Sequence, residues 1–191
     1  GGGLVYAPLG PTHLATDDIA LMRNIPNMTV LAPADADEMT RLMSQTVTHQ
    51  GPIYIRFGKD GSPLVSQGPT EIGKGIVMKE GRRALVITTG TTLDLAMRVH
   101  DVTILHFPTI KPLDRKLIID CCVPFDKVIT VEEHNKSGGL GSAVLEALNG
   151  YRHVHRIGVP DTFVDRYGTY EELLAYYGIS KEGIESAIRT R

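Results

Sequence analysis

Residues 9–33 read LGPTHLATDDIALMRNIPNMTVLAP, which predicts a tight loop, a helix and a buried strand in succession. Pro11 disfavours the helical conformation at Gly10, so the Gly10-Pro11 pair forms a turn. An N-cap is available at residues 16–17, apolar residues follow at helical spacing, and Ile25-Pro26 ends the helix. The pattern places His13 on a short rigid loop just before a helix N-terminus, where it can meet a polar ligand.

Two strands are predicted next, one at 29–31 and one at 53–57. Between them Asp35 and Glu38 form a capping-box pattern that starts a helix. The apolar residues of that helix fall on one face, which predicts that all of them pack against a sheet: Met39, Leu42, Met43 and Val47. The run 58–75 is rich in Gly, Pro and Ser and indicates a linker, which divides the chain into domains 1–69 and 70–191.

The second domain alternates short apolar strands with helices. Strands without polar alternation, separated by helices, are typical of a mostly parallel sheet covered on both faces. We therefore predict an α/β fold of two doubly wound domains with mostly parallel sheets, the first of them incomplete. The predicted strands are 84–88, 102–107, 127–132 and 155–159, and the predicted helices are 91–99, 113–122, 140–148, 170–177 and 181–189.

The connection between strands 84–88 and 102–107 is short. A parallel crossover needs about a dozen or more residues, and only residues 89–101 are available. We therefore predict that residues are missing between Val99 and Asp101, either deleted from the protein or without a fixed position.

Composition bounds the class of protein. With 191 residues and 42% hydrophobic content the chain can bury one ordinary core or two small ones. A net charge of −2 gives no electrostatic case for binding nucleic acid or an anionic membrane surface, and no run approaches the ~18 apolar residues that a membrane span needs. The two cysteines are adjacent, Cys121 and Cys122, which favours a buried helix end in a reducing cytoplasm over a disulfide.

Two blocks of the sequence resemble a known family. GPTHLATDDIALMRNIPNMTVLAPADADE (10–38) resembles the second half of the pyrimidine-binding domain of the transketolase family of thiamine diphosphate enzymes. VITVEEHNKSGGLGSAVLEAL (128–148), followed by RIGVPDTFVDRYGTYEELLAYYGIS (156–180), resembles the C-terminal domain of that family. The resemblance covers nearly the whole chain and implies that it starts partway through the first domain.

The resemblance implies transfer of a two-carbon ketol or acyl unit from a small ketose or 2-oxo substrate. His13 would face the thiazolium ring and donate a hydrogen bond to substrate oxygen, which stabilises the charge that develops there. Arg56 matches the arginine that binds the phosphate or another anionic end of the substrate. The alternatives are a loop histidine that caps a backbone group and a strand-end arginine paired with a carboxylate.

Two positions depart from the family pattern. Sugar-phosphate transketolases carry Asp directly before Gly-Pro-Thr-His, where it contacts a hydroxyl of the acceptor, and this chain has Leu9. Gly1 lies at or near the position of an upstream histidine that helps to hold phosphate. We therefore expect an acceptor that is not an ordinary sugar phosphate, or one that lacks the matching hydroxyl.

Parts of the cofactor site that the resemblance implies are not in this sequence. The glutamate that activates the aminopyrimidine ring would lie upstream, and the Gly-Asp-Gly motif that holds Mg²⁺ and diphosphate does not occur, so no cofactor or metal ligand is assigned. Thiamine diphosphate and Mg²⁺ would be bound mainly by other parts, in a homodimer or a heterotetramer with a diphosphate-binding N-terminal subunit or domain. The alternatives are a deoxyxylulose phosphate synthase, a 2-oxo acid dehydrogenase beta subunit and a non-catalytic assembly subunit.

Two further motifs are interpreted as structural. Glu132, Glu133 and His134 are adjacent on a predicted strand, so their side chains alternate between faces and cannot readily converge. The glycines of 138–141 precede a helix whose N-terminus could accept an anion. Without the GxGxxG or P-loop spacing, close packing of that helix on the sheet is the favoured interpretation.

Overall fold

The computed structural model describes residues 1–58 and 61–190, which contain two sheets. In the smaller sheet β1 (Thr29–Leu31) pairs in parallel with β2 (Ile53–Ile55) and antiparallel with β6 (Thr109–Lys111). Two helices belong to this part, α1 (Asp18–Asn24) and α2 (Ala36–Thr46). Because β6 comes from the second half of the chain, the two halves share this sheet.

The larger sheet has five strands. They are β3 (Ile76–Lys79), β4 (Leu85–Thr88), β5 (Thr103–His106), β7 (Val128–Asn135) and β8 (Val154–Val159). The spatial order is β3-β5-β4-β7-β8, with every pairing parallel except that of the edge strand β3 with β5. The central strand β4 is buried along its whole length, as expected for a sheet covered on both faces.

Helices pack on both faces of the larger sheet. One face carries α3 (Thr92–Met97), α6 (Tyr170–Tyr176) and α7 (Lys181–Arg189), and the other carries α4 (Arg115–Cys122) and α5 (Leu140–Leu148). This arrangement confirms the predicted α/β fold with mostly parallel, doubly wound sheets. Within the described ranges every helix is too short or too polar to cross a membrane.

The short crossover between β4 and β5 uses a six-residue helix and a tight turn. The amide of Val99 donates to the Ala96 carbonyl at 2.9 Å, and Asp101 then adopts a left-handed conformation with φ 53°. The Asp101 carbonyl accepts the amides of Arg82 and Arg83, which fixes the turn against the start of β4. One short helix therefore completes the crossover, and the predicted loss of residues between Val99 and Asp101 stays a prediction.

The apolar face of α2 is only partly covered. Leu42 is fully buried, but Met43 is 45% and Val47 is 84% exposed. The prediction that this whole face packs is therefore wrong for Met43 and Val47, which lie in the last turn of the helix and at its C-cap, where the described part of the chain leaves them exposed. The helix start is as predicted: Asp35 Oδ1 accepts the amide of Glu38 at 2.9 Å.

Candidate functional site

His13 lies on an exposed loop made of two short 3-10 turns, 7–9 and 11–13, joined at Gly10. The amide of Gly10 donates to the Ala7 carbonyl and the amide of His13 donates to the Gly10 carbonyl, both at 3.1 Å. The imidazole is exposed, with Nδ1 at 2.9 Å from Thr12 Oγ1. The loop geometry agrees with the prediction, and the role of His13 toward a substrate stays a prediction.

Gly10 has to be glycine for two reasons. Its φ of 75° lies in the left-handed region, which L side chains rarely adopt. A Cβ atom at this position would lie 2.3 Å from Cε1 of Tyr167, so the Tyr167 ring sits directly over the backbone of the loop. The conformation of the loop thus depends on one glycine and on one residue from the second half of the chain.

Gly10→Ala is expected to lower the free energy of unfolding by about 1–2 kcal/mol, because alanine is strained in the left-handed region. Gly68→Ala is the matched control, since Gly68 has φ 74° and nothing within 4 Å of a Cβ. Urea unfolding should show the larger loss for Gly10→Ala, which must also displace the Tyr167 ring. Equal losses in the two variants would show that the ring contact adds nothing.

A groove of about 330 Å³ runs beside the loop. Pro11, Leu14 and Asp17 line it from the first half of the chain, and Asn135 and Phe163 are among the residues that line it from the second. His13 does not itself line the groove but lies between two residues that do, Pro11 and Leu14, so its loop borders a cleft to which both halves contribute.

Arg56 is buried and fully engaged in contacts within the chain. Its side chain is 7% exposed, and its Nε donates to Asp18 Oδ2 at 3.0 Å. Its Nη2 donates to the carbonyls of Ala15 and Glu133, at 3.1 and 2.6 Å. These contacts match the alternative of an arginine paired with a carboxylate, and they tie the segment after His13 to strand β7.

The carboxylate of Asp18 is the centre of a small polar cluster. Oδ2 also accepts the hydroxyl of Tyr54 at 2.8 Å, while Oδ1 is buried without a hydrogen-bond partner among the described residues. Burial and the neighbouring Asp18 carboxylate raise the pKa of Tyr54 to about 12. Asp18 therefore depends on Arg56 for charge compensation.

Glu133, on strand β7 of the second half of the chain, also connects the two halves. Its carboxylate accepts the Leu4 amide through Oε1, and through Oε2 it accepts the hydroxyls of Thr91 at 2.8 Å and Tyr170 at 2.6 Å. Burial and the Glu133 charge raise the pKa of Tyr170, so the phenol stays protonated as a donor. Thr91 and Tyr170 also line a cleft of about 420 Å³ between the halves.

The N-terminus of α5 is already occupied by a carboxyl group from within the chain. Glu132 is buried and accepts the amides of Leu140 and Gly141 at 2.6 and 2.8 Å, although burial raises its pKa to about 7. A Cβ atom at Gly139 would lie 1.9 Å from Glu132 Oε2, so the glycine allows this close packing. His134 Nδ1 donates to the Asn135 carbonyl at 2.7 Å, which is a structural contact as well.

One buried pair was not found by sequence reasoning. His106 Nε2 and Glu38 Oε2 are 2.8 Å apart with both side chains fully buried, and Glu38 also accepts the Ala34 amide at 2.7 Å. Burial alone would raise the pKa of Glu38, but the hydrogen bond and charge of His106 hold it below its usual value. The pair links α2 to β5, and no local spacing of the two residues could have indicated it.

The described ranges contain no group of three or more His, Cys, Asp or Glu side chains placed to hold a metal ion. The buried carboxylates Asp18 and Glu132 are occupied by Arg56 and by backbone amides, respectively. The described residues therefore do not fit a site for Mg²⁺ and diphosphate.

Comparison with known proteins gives two family matches in sequence order. Residues 2–63 match the model of the transketolase pyrimidine binding domain, and residues 73–184 match the model of the transketolase C-terminal domain. The 1-deoxy-D-xylulose-5-phosphate synthase of Bordetella parapertussis is 40% identical over 99% of this chain and 32% of its own length. The synthase of Methylococcus capsulatus is 37% identical over 97% of this chain and 30% of its own length.

A solved structure described as a split gene transketolase, inactive beta4 tetramer, superposes with a TM-score of 0.84 at 32% identity. The match covers 94% of this chain and 62% of that one. The chain thus spans about a third of the length of these curated relatives and less than two thirds of the structural neighbour.

Proposed function

The chain belongs to the transketolase family, and from that premise we propose that it forms the C-terminal part, or a C-terminal subunit, of an enzyme that transfers a two-carbon ketol or acyl unit. The ordered matches to the pyrimidine-binding and C-terminal domains support this proposal. The observation that carries it is the exposed His13 beside a cleft, on a loop whose sequence is the family's Gly-Pro-Thr-His. We also propose the division into domains 1–69 and 70–191.

Bound thiamine diphosphate would supply a carbanion that carries the two-carbon unit. What this chain would contribute is a positioned hydrogen-bond donor: the His13 imidazole, which is exposed on the 11–13 turn between two residues that line the cleft, Pro11 and Leu14. A fixed donor stabilises the charge on substrate oxygen without reorganising during the reaction. To bind the anionic end of a substrate, the Arg56 guanidinium would have to leave Asp18. The observed contacts therefore favour the alternative, a structural arginine paired with a carboxylate.

The cofactor, with Mg²⁺, would be held mainly by residues outside this sequence, in a homodimer or a heterotetramer with a diphosphate-binding subunit. The neighbouring structure, described as an inactive beta4 tetramer, supports oligomeric assembly and a need for further parts before activity appears. Cys121 and Cys122 are both free thiols, which supports a cytoplasmic location.

The proposal is tested with the full-length gene product and any chain that co-purifies with it. Turnover is measured with thiamine diphosphate and Mg²⁺, with pyruvate or a ketose phosphate as donor and an aldehyde as acceptor. Cofactor-dependent carbon–carbon bond formation with one donor is the expected result. The relatives' names favour the deoxyxylulose phosphate synthase alternative. Cofactor binding without turnover of any donor would instead identify a non-catalytic assembly part.

Leu9→Asp is expected to raise kcat/KM for a 2-hydroxyaldehyde acceptor by about 5- to 15-fold. Leu9 is 50% exposed next to the turn that carries His13, and a carboxylate there would accept a hydrogen bond worth about 1–1.5 kcal/mol from the acceptor hydroxyl. Leu9→Ala is the matched control, because it removes the apolar side chain without adding an acceptor. An equal gain with Leu9→Ala would refute the hydrogen-bond explanation.

A further inference from the structure

The segment between β8 and α6, residues 160–169, lies along the loop that carries His13. Phe163 lines the same groove as Pro11, and the ring of Tyr167 covers Gly10. The three heavy atoms nearest to a Cβ at Gly10 are all ring atoms of Tyr167, at 2.3, 2.6 and 2.9 Å. Gly10 is buried, although Leu9 and Pro11 on either side of it are exposed.

We propose that Tyr167 is a positioning residue for His13: its ring holds the Gly10 backbone and so keeps the 11–13 turn, with its exposed imidazole, in place beside the cleft. The consequence for catalysis rests on the proposed function, whereas the effect on the loop does not. The C-terminal half would thereby take part in substrate handling instead of serving only as a scaffold.

The loop needs an outside support at Gly10. Glycine populates positive and negative φ about equally, so Gly10 is the point at which the two 3-10 turns can rotate against each other. In the second turn the His13 amide donates to the Gly10 carbonyl at 3.1 Å, so the turn closes directly on Gly10. A ring packed over the Gly10 backbone excludes the other conformers that glycine would visit.

Tyr167 is itself fixed from both sides. Val164, three residues before it, is 4% exposed and belongs to the main hydrophobic core. Thr169, two residues after it, caps α6 in a reciprocal capping box with Glu172. The guanidinium of Arg166 stacks on the Tyr176 ring at 3.8 Å, so the residue before Tyr167 is also held by α6. The backbone on both sides of Tyr167 is thus anchored in the second half of the chain, while the ring itself is 71% exposed and lies against Gly10.

Amide hydrogen exchange of the chain tests the proposal directly. Tyr167→Ala is expected to speed exchange at the Gly10 and His13 amides by about 10-fold or more, because the turn then opens locally. Tyr167→Phe keeps the ring and should stay within about twofold of the wild type. Tyr151→Ala is the matched control, since Tyr151 is 65% exposed on the turn between α5 and β8. Urea unfolding of each variant separates local opening from global instability.

A double variant adds a second measurement. In the Tyr167→Ala background the cost of Gly10→Ala should fall to the cost of Gly68→Ala, because only backbone strain remains. Unchanged exchange at Gly10 and His13 in a folded Tyr167→Ala protein would overturn the proposal.

The effect of Tyr167 on catalysis is tested by measuring kcat and KM of the full-length enzyme. Tyr167→Ala should lower kcat by about 10-fold or more with little change in the KM of the donor, and Tyr167→Phe should restore it, since a misplaced catalytic group costs rate more than binding. A loosened loop with wild-type kcat would refute the positioning role. If the wild-type enzyme shows no turnover at all, the proposed function fails, and hydrogen exchange alone decides whether Tyr167 holds the loop.

Discussion

Arg56→Ala is expected to lower the free energy of unfolding by about 3–5 kcal/mol, because it leaves the buried carboxylate of Asp18 without a counter-charge. The Arg56 side chain is 7% and the Asp18 side chain 11% exposed, so water has little access to the Asp18 carboxylate and cannot replace the guanidinium as its partner. The change also removes the donors to the Ala15 and Glu133 carbonyls, which hold the His13 segment against β7. Urea unfolding followed by circular dichroism measures the loss.

Two comparisons make this prediction specific. Arg56→Ala combined with Asp18→Asn should recover part of the stability, because the unpaired charge is gone. Arg98→Ala is the control for an exposed pair: Arg98 is 56% exposed and bonds Asp94 one helical turn away, so its loss should cost under about 1 kcal/mol. If Arg56→Ala lowers the free energy of unfolding as little as Arg98→Ala does, a structural role for Arg56 is contradicted. The prediction that Arg56 binds the anionic end of the substrate would then be favoured.

The parts of the structure that could be predicted are those that depend on neighbouring residues. Pro11 and Gly10 determine their turn through local sterics, and Asp35 and Thr169 cap their helices within three residues. The central strands of the larger sheet were predicted because burial on both faces leaves an unbroken apolar run, as in 85–88. Local chemistry was sufficient in each of these cases.

The parts that could not be predicted depend on residues far apart in the chain. Strand β6 has three residues and joins the smaller sheet by pairing Lys111 with Val30, a partner that its own sequence does not specify. The same limit applies to the contacts of Arg56, whose carboxylate partner lies 38 residues earlier, and to His106, whose partner Glu38 lies 68 residues earlier. For this reason the loop of His13 was predicted correctly, while the network that holds it was not.

His13→Ala is expected to lower kcat of the full-length enzyme by about 10²–10³-fold, the effect of removing one preorganised donor from a developing oxyanion. Because the side chain is exposed and bonds only the Thr12 hydroxyl among the described contacts, the free energy of unfolding should change by no more than about 0.5 kcal/mol. His13→Gln keeps a hydrogen-bond donor on a side chain of similar length, so its kcat should lie between those of the wild type and His13→Ala.

The matched control for that experiment is His153→Ala, which removes an exposed histidine at the start of β8, away from the groove beside the loop. It should leave kcat and stability unchanged. Together the variants separate the two roles that the sequence left open for His13. If His13 only caps its own loop, removing it should lower the free energy of unfolding and leave kcat nearly unchanged. If His13 donates a hydrogen bond to substrate, removing it should lower kcat and leave the free energy of unfolding nearly unchanged. Wild-type turnover by a folded His13→Ala enzyme would therefore exclude the imidazole from the reaction.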